Sequence, residues 1–123
     1  MSRNPDELLP LSAPVLHILL ALGQDDLHGY AIMQAIEEKT AGRARILPGT
    51  LYSTLNRMLD EGLIEDSPVR PEAADDDPRR RYYRTTSFGR AVVAAEAERM
   101  SVLLDVARRE HLAVDPRARR SEG

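Results

Sequence analysis

At Gly62 the hydrophobic period of this chain changes, and few small folds accommodate the change. Upstream, Leu51, Leu55, Met58 and Leu59 recur at i, i+4, i+7 and i+8, one face of a helix beginning near Pro48. Gly62 stands where a left-handed residue closes a helix, and Leu63 can fold back onto Met58. Downstream, LIEDSPVR and RRRYYRTT read as two strands joined by PEAADDDP, a polar loop with two prolines and the aspartates Asp75, Asp76 and Asp77. Pro68 cannot donate a ladder hydrogen bond, which places the first strand at an edge or a bulge.

Two further helices precede this unit. Ser12 and Pro14 open one that carries Val15, Leu16, Ile18, Leu19 and Leu22 up to Gly23. A second, capped by Asp25 or Asp26, runs to about Thr40 with Gly29, Ile32, Met33 and Ile36 on one side. Three helices followed by a hairpin is the order of a winged helix-turn-helix domain. The connection from Thr40 to Pro48 is longer than the turn of the simple motif, and a short extra strand around Ala44 to Ile46 fits there. Thr86 or Ser87 then caps a helix reaching about Leu112, roughly 39 Å long. Val93, Ala97, Met100, Leu104, Ala107 and His111 alternate along it by fours and threes, with Leu103 beside them, as a seam for a second copy of the chain. The expected fold class is mainly α with a small β-hairpin. Residues 1–86 form the winged domain, 87–112 the dimerisation helix, and 113–123 a polar tail without periodicity, expected to be disordered.

The helix after Pro48 turns an unusual side outward. Gly49, Ser53, Asn56 and Asp60 lie opposite its apolar stripe, flanked by Tyr52 and Arg57, where a surface helix ordinarily carries lysine and glutamate. Small residues at the start of such a helix admit close approach to DNA. Gly49, Thr50 and Ser53 could bind phosphate through amides and hydroxyls, while Asn56 and Arg57 have the donors that read adenine and guanine edges. Asp60, Glu61, Glu65 and Asp66 would repel phosphate, confining contact to the first half of the helix.

The formal net charge of −3 conceals its distribution: residues 41–57 hold Arg43, Arg45 and Arg57 without an acid, and residues 79–90 hold five arginines without one. Arg79, Arg80 and Arg81, with Arg84, could grip phosphates as a wing, or balance Asp75 to Asp77 across the loop. A basic face on an acidic protein fits a DNA operator, or else an acidic protein partner of a winged-helix interaction module. Tyr82 and Tyr83 point to opposite faces of their strand, so at least one belongs to the core.

Other classes find little support. There is no cysteine and no histidine pair at i, i+4, so zinc is not expected, and neither a nucleophile motif nor a glycine-rich phosphate loop indicates an enzyme or a bound cofactor. The longest apolar run, VLHILLAL, is too short to span a bilayer, and MSRNPDELLP lacks the pattern of a signal peptide, so the cytoplasm is the expected compartment.

HGYAIMQAI at 28–36, LPGTLYSTLNRMLDEGLIE at 47–65 and RRRYYRTTSFGR at 79–90 together resemble the PadR family of bacterial transcriptional regulators. The resemblance implies a winged helix-turn-helix, a C-terminal helix that dimerises, and repression commonly relieved by a small molecule or a signal. The single long last helix looks like the short subfamily. It also implies DNA-facing roles for Tyr30, Gly49, Thr50, Tyr52, Ser53, Asn56 and Arg57, with the hairpin arginines as the basic wing. The chain departs from the pattern at Ser53, where the family commonly has proline, which adds a hydroxyl to that face. Some relatives stack flat drugs on a tryptophan of the last helix; this chain has none, so a pocket of that type is not expected.

Overall fold

The computed structural model describes residues 3–68 and 80–114. After a short 3-10 turn at Pro5–Leu8 come helix α1 (Ala13–Leu22), strand β1 (Leu27–His28), helices α2 (Gly29–Lys39) and α3 (Pro48–Asp60), strands β2 (Ile64–Asp66) and β3 (Tyr82–Thr85), and helix α4 (Ser87–Arg109). The strands form one antiparallel sheet in the order β1-β3-β2, with Leu27 opposite Tyr83 and Glu65 opposite Arg84. This is the winged helix-turn-helix arrangement, mainly helical with a small sheet. Arg79 and the loop aspartates Asp75 to Asp77 lie outside the described residues, as does most of the tail.

Helix α3 ends as its sequence dictates. Gly62 takes φ +75°, and its N–H donates to the Leu59 carbonyl while that of Leu63 donates to Met58 (3.0 Å), which satisfies carbonyls the helix would otherwise leave bare. The helix starts differ from expectation in detail. Ser12 occupies the cap position of α1 without a side-chain capping bond. The cap of α2 is His28, whose Nδ1 accepts from the Ala31 N–H at 3.3 Å; Asp26 instead accepts a hydrogen bond from the Ser67 hydroxyl. The extra strand is Leu27–His28 and not Ala44–Ile46, because it is β3 that offers a free edge, and residues 27 and 28 lie against it.

The core gathers Ile18 and Leu22 of α1, Ile32 and Ile36 of α2, and Leu51, Leu55 and Met58 of α3 beneath Leu63, Ile64 and Tyr83, all buried. Tyr82 is buried as well, edge-on to the His28 ring at 5.3 Å, so both tyrosines of β3 are enclosed. Helix α4 contributes to the same core through Gly89, Val92 and Glu96. Glu96 is 1% exposed: its carboxylate accepts the Leu11 N–H (2.8 Å) and pairs with Arg99. The hydrogen bond from Arg99, helped by that of the Leu11 amide and opposed by burial, holds the Glu96 carboxyl below its ordinary range.

The seam residues fall into two groups. Val93 packs partly against the core, whereas Ala97, Met100, Leu103 and Leu104 are exposed and Ala107 is half-buried. Val102 and Val106 are exposed as well, but helical spacing turns Val102 to the opposite side of α4. The helix stops at Arg109 and not near Leu112; His111 takes φ +59° beyond it, so the seam is shorter than its sequence period suggests. Among the described residues no helix is long and apolar enough to cross a membrane.

Candidate nucleic-acid interface

Helix α3 projects from the core with one flank open. Gly49, Thr50, Tyr52, Ser53, Asn56 and Arg57 are all exposed, in agreement with the helical spacing that singled them out. A Cβ built on Gly49 would meet nothing within 4 Å, so the start of this helix is unobstructed. The Ser53 hydroxyl donates back to the Thr50 carbonyl at 3.2 Å, a bond within the helix that a more favourable acceptor can replace.

Tyr52 leans across the junction with α2. A Cβ on Gly29 would lie 2.5 Å from its hydroxyl and 2.9 Å from its ring, so the absence of a side chain at Gly29 is what lets the tyrosine lie there. Tyr30, one residue further along, is exposed beside it. With Arg80, Arg81 and Tyr83 from the start of β3, these residues line an open cleft of about 360 Å³ between α2, α3 and the sheet. Tyr30, Tyr52, Arg80 and Arg81 are therefore brought together from three elements, while Asn56 and Arg57 stand farther along α3.

The arginines are less free than a charge count implies. Arg57 is paired with Glu61 one turn along (3.8 Å), an exposed and weak ion pair that draws it toward the end of α3. Arg81 donates through Nε and Nη2 to both carboxylate oxygens of Asp66, the second bond at 2.9 Å, while its guanidinium lies 5.4 Å from the Tyr83 ring. The Asp66 hydrogen bond raises the Arg81 pKa above its ordinary value, and burial raises that of the Tyr83 phenol. Arg84 donates twice to Glu65 Oε2, at 3.0 and 3.1 Å. Glu65 and Asp66, expected to repel phosphate, thus act first on the arginines of the neighbouring strand. Strand register sets Glu65 directly opposite Arg84, a pairing present in the alternation of β2 and β3 once Leu63 is set beside Thr86. Arg81, just before β3, reaches Asp66 diagonally past Tyr83, the register partner of Asp66.

Comparison with known proteins identifies the lineage. The sequence model of the transcriptional regulator PadR-like family matches residues 18–95, well over half of the chain. The chain belongs to the PadR-like family. Members of this family are transcriptional regulators, not enzymes. A transcriptional regulator of Mycobacterium tuberculosis is 34% identical over 88 residues, which span 72% of this chain and 76% of the relative. A transcriptional regulator of Clostridium thermocellum superposes with a TM-score of 0.64 at 28% identity, covering 78% of this chain and 87% of that one. Bacillus subtilis PadR, solved in complex with operator DNA, shares the fold at a TM-score of 0.58 and 22% identity, over 70% of this chain and 47% of that one. Among the described residues of this PadR-like chain, no group of three histidine or carboxylate side chains is arranged to hold a metal.

Proposed function

We propose that this PadR-like regulator is a homodimeric repressor that binds a pseudo-palindromic operator. The observation that carries the reading is the open flank of α3, where Gly49, Thr50, Ser53 and Asn56 are exposed and no acid appears until Asp60. A helix face so furnished allows the backbone to approach a major groove, with Asn56 and Arg57 to read base edges and Thr50, Ser53 and Tyr52 to meet phosphates. Tyr30, Arg80 and Arg81 in the adjoining cleft suit the flanking backbone, and Arg79 extends the same basic run in sequence. The exposed Ala97, Met100, Leu103 and Leu104 with half-buried Ala107 support dimerisation through α4, with half-sites about one turn, near 10 base pairs, or a multiple apart. Such a regulator works beside the chromosome, in the cytoplasm.

Fluorescence anisotropy of a labelled duplex carrying the upstream region of this protein's own gene, against a scrambled duplex at two salt concentrations, tests the reading. Tighter binding to the upstream duplex at the higher salt is expected, since base contacts outlast the screened phosphate contribution. Absence of binding to any duplex at low salt would refute it.

A further inference from the structure

The two carboxylates of β2 hold Arg84 of β3 and Arg81 just before it in a way that DNA binding does not require. Arg81 is held by its Nε and Nη2 edge, the edge with which an arginine forks onto two phosphate oxygens. It lines the cleft shared with Tyr30 and Tyr52, so a phosphate entering there meets a guanidinium whose charge is already balanced. Both members of the pair are about half exposed, within reach of solvent and of a ligand.

Resting on the DNA-binding reading above, we propose that Asp66 is an internal counter-ion that limits sequence-independent DNA binding by competing with phosphate for Arg81. Phosphate contacts supply affinity without sequence information, so an arginine balanced from within lowers the general attraction to duplexes and leaves discrimination to the base-reading side chains of α3. The raised pKa of Arg81 is consistent with this competition, because the guanidinium has a favourable alternative to DNA. Neutralising Asp66 releases one cation to displace a condensed counter-ion from the duplex.

The test compares wild type with Asp66→Asn, Arg81→Ala and the double variant on a mixed-sequence duplex between about 50 and 200 mM salt. One extra phosphate contact steepens the slope of log K against log salt by about 0.9, equivalent to roughly five- to tenfold tighter binding near 0.1 M. Asp66→Asn is expected to show both changes, and the double variant to lose both. An unchanged slope, or weaker binding by Asp66→Asn, would overturn the proposal and make Asp66 a residue that aims Arg81. A circular dichroism spectrum and urea midpoint matching wild type show that the exposed substitution leaves the fold intact. Wild type and variants that all ignore the duplex at low salt would refute the DNA reading and this inference with it; a wild type that binds, with an Asp66→Asn that behaves identically, refutes the inference alone.

Discussion

Replacing Gly89 by alanine sets two opposed effects against each other. In a helix, Gly→Ala ordinarily stabilises by about 0.5–1 kcal/mol, because glycine loses more backbone freedom on folding. Here a Cβ would lie 2.1 Å from the Leu63 carbonyl oxygen, 3.0 Å from its carbon and 2.8 Å from Thr85 Cγ2. Real Cβ contacts essentially never fall below 3.0 Å, so α4 and the Leu63 peptide would have to part by roughly 1 Å. The same carbonyl accepts the Thr86 N–H at 3.1 Å and the Thr86 hydroxyl at 3.2 Å, and both bonds stretch with the displacement. Overpacking at about 1–3 kcal/mol, plus about 1 kcal/mol for weakened hydrogen bonds, outweighs the helix gain and leaves a net loss of about 1–3.5 kcal/mol. Urea unfolding followed by circular dichroism, at one fixed protein concentration, is expected to show a lower midpoint with little change in slope, and the melting temperature should fall by roughly 10 °C. Gly49→Ala is the control: with nothing within 4 Å of the added methyl, its stability should equal wild type or exceed it by up to about 1 kcal/mol. A Gly89→Ala protein as stable as wild type would refute the close approach of α4 to β2.

Glu96→Gln should cost about 1 kcal/mol at neutral pH, where the carboxylate binds the Leu11 amide and Arg99. Because the folded pKa is lowered, the wild-type advantage is complete above the unfolded carboxyl value of about 4.3 and disappears as pH falls through the folded value; urea midpoints at neutral and acid pH should therefore converge, and a constant gap would contradict the assignment. At Gly29→Ala the clash is with the far end of the Tyr52 side chain, which can swing away, so stability should change by less than about 1 kcal/mol while duplex affinity falls; unaltered affinity would remove Tyr52 from the interface. Leu103→Glu with Leu104→Glu places like charges on the exposed face of α4, and light scattering should give the monomer mass where wild type gives twice that; equal masses would remove this face from the dimer.

Helix α3 and its Gly62 closure were legible in the sequence because each depends on residues within one or two turns: the apolar stripe, the proline at the start and the glycine at the end. The exposed set from Gly49 to Arg57 follows from the same period. What the sequence hid is long-range. Strand β1 has two residues and is defined by its pairing with Tyr82 and Tyr83, so no local pattern announces it. Glu96, between two alanines, reads as a surface residue and is buried because the segment around Leu11 covers it. The Glu65–Arg84 pair follows from strand register, and the Asp66–Arg81 pair from a diagonal reach beside it. A charge count treated the acids and bases as separate regions, whereas the fold sets them side by side.

The joint that Gly89 makes also bears on reach. Helix α4 rests on the peptide of Leu63, one residue beyond the glycine that ends α3, and the Thr86 hydroxyl donates to the Gly62 carbonyl at the same place. Nearby, Arg3 donates to the Glu61 carbonyl and lies over the Phe88 ring, 4.2 Å from its centre, fastening that corner from outside. These contacts set the root of α4 directly against the closure of α3. Two copies joined through α4 would work as a caliper whose jaws open to one width. One base pair added between half-sites turns the second site by roughly 35° about the duplex axis, and such an operator would be refused on its dimensions even with every base in place.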